Sequence, residues 1–212
     1  MRKRIILATL ALAGAMALSG CGGSKSASKN GKILTVEEGP DVETIDPALN
    51  QSADGANYIT MISDNLLRID KDGKIAPSMA EKYEVSDDGL TWTFHLRDGL
   101  KWSDGSDFTA GDFVYSWQRV VDPNVAAPYA QTVLGMVEGY DDAVGKPDAD
   151  GNTTVTPDPT KLKVEAPDDK TLVVHMAKPT PYFDKLATFA ALSPVKKDVV
   201  ESNPDGWTLD PK

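Results

Sequence analysis

The stretch DGLTWTFHLRDGLKWSDGS, from Asp88 to Ser106, decides how the fold of this chain is interpreted. Residues 91–96 alternate apolar and polar side chains, which puts Trp92, Phe94 and Leu96 on one face of a predicted strand. A period of two is typical of a half-buried antiparallel strand. Asp-Gly pairs flank the strand, and this dipeptide favours tight turns. The stretch therefore predicts a sheet whose aromatic residues lie in a core.

Further elements are predicted around this strand. Residues 81–85 are predicted to pair with it through a hairpin, and residues 162–164 and 172–175 form a second predicted pair around the sequence APDD. Thr109 is predicted to cap a helix, with Asp112 in the capping-box position and Asp122-Pro123 at the end. The buried face of this helix should carry the large apolar residues Phe113, Trp117, Val120 and Val121.

The remaining segments give weaker patterns. A short strand is predicted over residues 32–37, a tight turn at Asp72-Gly73, an irregular step at Pro77 and an exposed polar loop over residues 140–159. The helical predictions are residues 57–67 with Tyr58, Ile62 and Leu66 inward, a helix after Thr180-Pro181 that carries Phe183, Leu186 and Phe189, and a polar helix over 196–201.

The amino terminus has the order of an export signal. Three basic residues precede an apolar run of residues 5–18, which is shorter than the roughly 20 residues that a membrane-spanning helix needs. The run ends in small residues before Cys21, the only cysteine of the chain. This order is similar to a bacterial lipoprotein signal and predicts a lipid on Cys21. The alternatives are a plain signal peptide or a structural cysteine. Residues 21–31 would form a flexible Gly, Ser and Lys tether.

The charge of the chain narrows the range of partners. Its formal net charge is −10, and removal of residues 1–20 would make it more acidic because that segment holds only cations. A strongly acidic surface argues against nucleic acid and against electrostatic docking on anionic lipid. With 41% hydrophobic residues the composition is that of a globular protein.

No catalytic or metal-binding pattern emerges from the sequence. His95 and His175 are each isolated from other potential ligands, so both are interpreted as structural or surface residues. The stretch DADGN, residues 148–152, superficially resembles a calcium loop, but Thr153 and Pro159 occupy the positions where that loop requires Gly and Glu. The G-x-S-x-G, P-loop and G-x-G-x-x-G motifs are absent. We therefore expect no enzyme activity, no metal and no cofactor.

Several ordered motifs carry a resemblance to a known family. The segment from Asp88 to Pro123 and the motifs IDP at 45–47, AAPYA at 126–130, PTPYF at 179–183 and LSPV at 192–195 follow one another along the chain. Together they resemble the oligopeptide-binding proteins of ABC importers, the extracellular solute-binding proteins of family 5. The resemblance extends from about residue 32 to the end.

This resemblance implies a mixed α/β, periplasmic-binding-protein-like fold of type II with two lobes. The chain would supply the N-terminal lobe with its extra subdomain, and the second lobe would be missing. The implied organisation is a signal peptide over 1–20, a tether over 21–31, the start of the base domain over 32–65, the extra subdomain over 66–178 and a return into the base domain over 179–212.

The resemblance also implies which residues contact ligand. Tyr129 matches a tyrosine that borders the N-terminal end of the bound peptide, and Gln51, Ser52 and Ala53 match a loop that lines the cleft. The alternative for Tyr129 is an aromatic residue that only packs at a helix start. The family holds its peptide mainly through backbone groups, a mode that requires no particular peptide sequence.

The implied function is capture of oligopeptides at the outer face of the cell membrane and delivery to a permease and an ATPase. The protein would be a lipid-anchored monomer. The alternatives are another solute, namely a dipeptide, a signalling peptide, a nickel chelate or haem, or a surface receptor without a transport role. A secreted hydrolase would require a nucleophile and a base, for which the sequence gives no pattern.

Overall fold

The computed structural model describes Thr35, Gly39 and residues 41–147 and 155–209. The predicted signal peptide, Cys21, the tether, the stretch DADGN and all of the predicted strand 32–37 except Thr35 lie outside the described residues. Within the described ranges, no helix has both the length and the apolar character needed to cross a membrane.

Along the described chain, one α-helix is followed by four strands, three α-helices, two strands and two α-helices. The α-helices are α1 Ala53–Ile62, α2 Ala110–Val121, α3 Ala130–Leu134, α4 Tyr140–Val144, α5 Phe183–Leu186 and α6 Lys197–Ser202. The strands are β1 Leu67–Ile69, β2 Ile75–Pro77, β3 Ala80–Val85, β4 Thr91–Leu96, β5 Val164–Asp168 and β6 Thr171–His175. Two short 3₁₀ helices span Pro159–Lys161 and Ala190–Leu192.

The main sheet is antiparallel and has four strands in the order β3-β4-β6-β5. Strand β4 lies in its centre, with Phe94 opposite Tyr83 of β3 and Leu172 of β6. The predicted hairpin between β3 and β4 and the predicted inward face of β4 are both confirmed. Strands β1 and β2 form a separate hairpin, which turns at Gly73 with a positive φ of 75°, as Asp72-Gly73 predicts.

Aromatic side chains form the centre of the core. Phe94 and Trp92 contact Phe183, and Phe183 contacts Trp117 of α2 at 6.1 Å between ring centroids. The interplanar angle of that last pair is 83°, an edge-to-face arrangement that aromatic rings favour. Phe113 extends the cluster along the same helix. The predicted core positions of Trp92 and Trp117 are thus confirmed, whereas Trp102, another aromatic residue of the stretch 88–106 that was predicted to lie in the core, is only partly buried.

Helix α2 begins and ends where the sequence predicts. The Asp112 carboxylate accepts a hydrogen bond from the backbone N–H of Thr109 at 2.7 Å, which is one half of a capping box. Its predicted apolar face is buried. The C-terminal cap is Asp122, directly before Pro123, whose ring disfavours a helical conformation of the preceding residue.

The predicted inward face of the first helix was wrong. Helix α1 starts at Ala53 because Ser52 caps it, and it buries Gly55 and Ile59. Tyr58 is 39% exposed and Ile62 is 69% exposed. Leu66 is buried, but it lies beyond the end of the helix. The helix starts four residues earlier than predicted, and apolar residues occur on more than one of its sides, so the period of four selected the wrong side.

The predicted loop over residues 140–159 was wrong at its start. Helix α4 spans Tyr140–Val144 and buries Tyr140 and Ala143. Glycines in the left-handed conformation flank it, with φ of 77° at Gly139 and 64° at Gly145, so the chain can turn sharply on both sides.

The elements around residues 160–190 also differ from the prediction. Strand β5 continues through Ala166 and Pro167, with a register shift between Glu165 and Asp168, so the turn lies at residues 169–170 and includes only the last residue of APDD. Pro77 is the last residue of β2, and the irregular step predicted at this proline follows as a bend over residues 78–79.

Thr180 does not cap the helix predicted after it. Its hydroxyl donates to the carbonyl of Lys178, and the cap position of α5 is occupied by Tyr182. Helix α5 has only four residues, so Phe189 lies beyond it and is 40% exposed. The polar helix near the end is confirmed as α6.

Candidate functional site

The segment Gln51-Ser52-Ala53, called the loop below, contains three of the four residues that the resemblance assigns to ligand and enters α1 at Ala53. Gln51, Ser52 and Ala53 are all exposed. The Ser52 hydroxyl accepts a hydrogen bond from the backbone N–H of Gly55 at 2.9 Å, so this side chain acts as the N-cap of α1. Its conformation is therefore set by the helix start rather than by a ligand.

Gln51 has open polar groups. In the described part of the chain, neither its side chain nor its backbone N–H and C=O makes a hydrogen bond. Exposed backbone groups of this kind can pair with the backbone of an added extended segment. A cavity of about 230 Å³ opens beside Gln51 and Ser52, and Asp41, Glu43 and Asp54 contribute to its lining. Gln51 and Ser52 thus border an accessible space that acidic residues also line.

Tyr129 lies at the start of α3, where it is the N-cap residue. Its ring is partly buried and contacts the ring of Phe189, with the centroids 5.5 Å apart and the planes at 69°. This is the packing contact that the alternative interpretation of Tyr129 predicts. Because the ring remains partly accessible, the contact also leaves an aromatic surface on which a ligand could lie.

The segment of residues 189–193 connects Tyr129 with α1, the helix that follows the loop. Phe189, the partner of Tyr129, directly precedes the 3₁₀ helix Ala190–Leu192, and α1 packs against that helix. The Asn65 amide donates to the Phe189 carbonyl and to the Ser193 hydroxyl, each at 3.1 Å, and so holds both ends of this segment. No hydrogen bond joins Tyr129 to the loop among the residues that the structure describes.

Asp46 is a site residue of another kind, whose role was not predicted. The residue is only 2% exposed, and its carboxylate forms a bidentate ion pair with the Arg119 guanidinium, at 2.9 and 2.6 Å. The indole N–H of Trp207 donates to the same carboxylate at 3.2 Å. Asp46 belongs to the IDP motif that carries the resemblance. Its partners lie 73 and 161 residues away, and no sequence pattern connects them.

A second, larger groove of about 730 Å³ lies between α1, the loop after β4 and residues 194–208. Ile59 and Trp102 contribute to its apolar lining. At its rim the Lys196 ammonium donates to the Asp104 carboxylate. This hydrogen bond, with further ones from Ser106, holds the pKa of Asp104 well below its ordinary value.

The two histidines lie at the sheet and not in either cavity. His95 Nε2 is 3.6 Å from the Glu84 carboxylate, and both His95 and His175 are partly buried. Across residues 41–147 and 155–209, no group of three or more potential ligands could hold a metal ion.

Comparison with known proteins identifies the family. The model of the bacterial extracellular solute-binding proteins, family 5 middle, matches residues 74–212. The chain is 39% identical over 206 residues to the periplasmic oligopeptide-binding protein OppA of Salmonella typhimurium, covering 96% of this chain and 36% of that protein. It is 35% identical over 212 residues to the oligopeptide-binding protein OppA of Bacillus subtilis, covering 96% and 37%.

Solved structures give the same result. The crystal structure of Haemophilus influenzae OppA in complex with RPPGFSPFR matches with a TM-score of 0.72 and 39% identity, over 81% of this chain and 32% of that one. The predicted mixed α/β, periplasmic-binding-protein-like fold class is thereby confirmed. The chain spans little more than a third of the length of these relatives. It belongs to family 5 of the bacterial extracellular solute-binding proteins.

Proposed function

We propose that this chain is part of the substrate-binding component of an ABC importer and that its ligands are oligopeptides. The observation that carries the proposal is the similarity to oligopeptide-binding proteins over nearly the whole chain, together with a structural match to a relative in complex with RPPGFSPFR. Such a component captures its ligand outside the cytoplasm and passes it to a permease, while a separate ATPase supplies the energy.

The proposed contacts with the peptide are made by Tyr129 and by the loop Gln51, Ser52 and Ala53. The open backbone groups of Gln51 support this assignment, because an extended peptide presents the same donors and acceptors whatever its sequence. The partly accessible ring of Tyr129 supports a contact through its face or edge. The Ser52 hydroxyl caps α1 and the Ser52 backbone groups bond to Asn50, so Ser52 is expected to contact the peptide by van der Waals packing rather than by a hydrogen bond.

The proposed division of the chain assigns residues 32–65 and 179–212 to one domain and 66–178 to a subdomain. Two sets of contacts support it. Asp46 bonds to Trp207, and Asn65 bonds to Phe189 and Ser193, so the first and last parts of the described chain meet. The four-stranded sheet and α2 lie between them in sequence.

The proposed location is the outer face of the cell membrane, with a lipid on Cys21 and no other membrane contact. The order of basic, apolar and small residues before this cysteine supports the proposal. Two or more acyl chains would hold the protein firmly, whereas one chain gives only marginal binding. Growth with a labelled fatty acid tests it: label should be incorporated by the full-length wild-type protein and not by its Cys21→Ala variant.

The ligand assignment is tested by calorimetry on the full-length protein. Mixed peptides of three to nine residues should bind, whereas dipeptides, haem and a nickel chelate should not. Tyr129→Ala should weaken peptide binding about tenfold, since loss of a buried or stacked aromatic contact removes one to a few kcal/mol. Tyr182→Ala, which removes an exposed tyrosine elsewhere, is the matched control.

Each outcome of that titration has a meaning. Binding of haem, a nickel chelate or dipeptides in preference to longer peptides would replace the oligopeptide assignment by the corresponding solute. Equal affinity of the Tyr129→Ala and Tyr182→Ala variants would show that Tyr129 only packs against Phe189.

A further inference from the structure

Asp46 is the only buried carboxylate among the described residues, and all of its hydrogen-bonding positions are used. Oδ1 accepts from Arg119 and from the backbone N–H of Ala48 at 3.0 Å, and Oδ2 accepts from Arg119 and from Trp207. A buried carboxylate with this many donors is fixed in position and in orientation.

The ion pair itself is a poor explanation for a stable core. Removing two charges from water offsets most of their attraction, so a buried pair contributes little net stability compared with apolar residues of the same size. What a bidentate pair does provide is a defined geometry. Arg119 lies in the last turn of α2, an element whose own position is fixed by the aromatic core. Arg119 therefore fixes Asp46 relative to a rigid part of the molecule.

Asp46 also fixes the turn of the chain that directly follows it. The Asp46 carbonyl accepts hydrogen bonds from the N–H groups of Leu49 and Asn50, at 3.1 and 3.0 Å. Its carboxylate accepts from Ala48. Three successive backbone N–H groups are thereby bound to one residue, so the direction in which the chain leaves the turn depends on Asp46.

Asn50, at the end of this turn, holds the loop through hydrogen bonds of its side chain. Its side-chain Nδ2 donates to the Ser52 carbonyl at 2.9 Å, and its Oδ1 lies 3.4 Å from the Ser52 backbone N and 3.3 Å from the Ser52 hydroxyl. The side chain is buried, and its Oδ1 fits against Gly55: a Cβ on that glycine would lie 1.9 Å away. Asn50 thus occupies both backbone groups of Ser52, while those of its neighbour Gln51 remain open.

We propose that Arg119, Asp46 and Asn50 are positioning residues that fix the backbone of the loop Gln51-Ser52-Ala53 for peptide. The inference rests on the proposed function of that loop. None of the three residues needs to touch ligand. They present the Gln51 backbone groups in one conformation, so that binding does not have to order the loop first.

The test uses the full-length protein and the variants Asn50→Ala and Ser116→Ala. Ser116 is a matched control because it is also a buried polar residue that joins two segments: its hydroxyl accepts from the backbone N–H of Val195 at 2.9 Å. Peptide dissociation constants are measured by calorimetry, and amide hydrogen exchange of Ser52 and Gly55 is measured without ligand. Thermal midpoints establish how much each variant is destabilised.

For Asn50→Ala we expect affinity to fall about tenfold or more, with faster exchange at Ser52 and Gly55, because a buried hydrogen-bonding side chain is lost. Ser116→Ala should bind within about twofold of wild type. Arg119→Lys keeps the charge but loses the bidentate fork, so its affinity should lie between those of wild type and Asn50→Ala. An affinity loss in Asn50→Ala no larger than in Ser116→Ala would overturn the proposal.

Failure of the proposed function would look different. If the wild-type protein bound no peptide at all, the function would be refuted, and hydrogen exchange would still decide whether Asn50 orders the loop. Unchanged exchange at Ser52 and Gly55 in Asn50→Ala would refute the positioning role itself, whatever the ligand is.

Discussion

The sheet region and the loop region of this molecule are held together by different forces. In the sheet region, strands β3 to β6 and α2 enclose a cluster of aromatic rings, with Phe94 and Trp117 completely buried. In the loop region, residues 41–65 and 187–209 are joined by hydrogen bonds of the buried polar residues Asp46 and Asn65. Apolar burial is non-directional, whereas hydrogen bonds define angles. The first region supplies stability, and the second supplies a defined backbone conformation.

The largest effect should come from the aromatic cluster. Phe94→Ala removes a side chain that contacts Tyr83, Trp92 and Phe183, so it should lower the free energy of unfolding by about 3–5 kcal/mol. Urea denaturation followed by circular dichroism measures it. Tyr182→Ala, at an exposed aromatic position, should change stability by about 0.5 kcal/mol or less. Similar losses in both variants would contradict the assignment of stability to the ring cluster.

The buried ion pair gives the next effect. Asp46→Ala leaves the Arg119 guanidinium without its carboxylate, and this should cost about 3 kcal/mol in urea denaturation. The double variant Asp46→Leu with Arg119→Met should be less destabilised than Asp46→Ala, because no unpaired charge remains. If the double variant were the less stable one, the pair would contribute net stability, and the contrast between the two regions would disappear.

Two glycines in first helical turns, one in each region, test the same contrast. Gly55→Ala places a Cβ against Asn50 Oδ1, so the loop must move; we expect a loss of about 1–3 kcal/mol in the free energy of unfolding. Gly111→Ala, in the first turn of α2, meets only the Thr109 hydroxyl at 3.3 Å. It should be neutral to within about 0.5 kcal/mol, since alanine favours a helix more than glycine does. Thermal denaturation of the two variants side by side decides between these expectations.

The smallest effect concerns an ion pair at the surface between Lys196 of the loop region and Asp104, which lies between β4 and α2. The hydrogen bond from Lys196 is the main cause that lowers the pKa of Asp104 below its ordinary value of 3.8. A lowered folded-state pKa contributes stability that is present above the unfolded value and is lost as pH falls through the folded one. Stability should therefore fall less steeply below about pH 4 in Asp104→Asn than in wild type.

Urea midpoints at pH 7, 4 and 3 measure this slope. Lys196→Met removes the partner and should flatten the slope in the same direction as Asp104→Asn. An acid slope that is equal in wild type and both variants would show that this contact has no effect on stability. Many ion pairs at protein surfaces likewise contribute nothing measurable.

The sheet region was largely predictable from the sequence. Strand β4 alternates strictly between buried and partly buried residues, and the capping residues of α2 lie next to its apolar run. These signals are local. Helix α1 was misjudged because apolar residues lie on several of its sides: Ile59 is buried, whereas Tyr58 and Met61 are exposed. Periodicity has no unique answer in such a helix.

The candidate site was predicted only by resemblance. Nothing in the local pattern around Gln51 or Tyr129 indicates a ligand, and their assignment to peptide remains a prediction. The partners of Asp46 could not be predicted from the sequence, because an ion pair between residues 73 positions apart depends on the tertiary fold. The buried position of Asn50 and its contact with Gly55 likewise depend on how α1 packs.

The long sequence separation of the Asp46 contacts also has a kinetic consequence. Closing a loop of 161 residues to Trp207 costs more chain entropy than forming the hairpins of the sheet, so the carboxylate should find its partners late in folding. Interactions absent from the folding transition state act mainly on the unfolding rate. Asp46 should therefore determine how long the assembled molecule stays folded, while the hairpins β3–β4 and β5–β6 determine how quickly it folds.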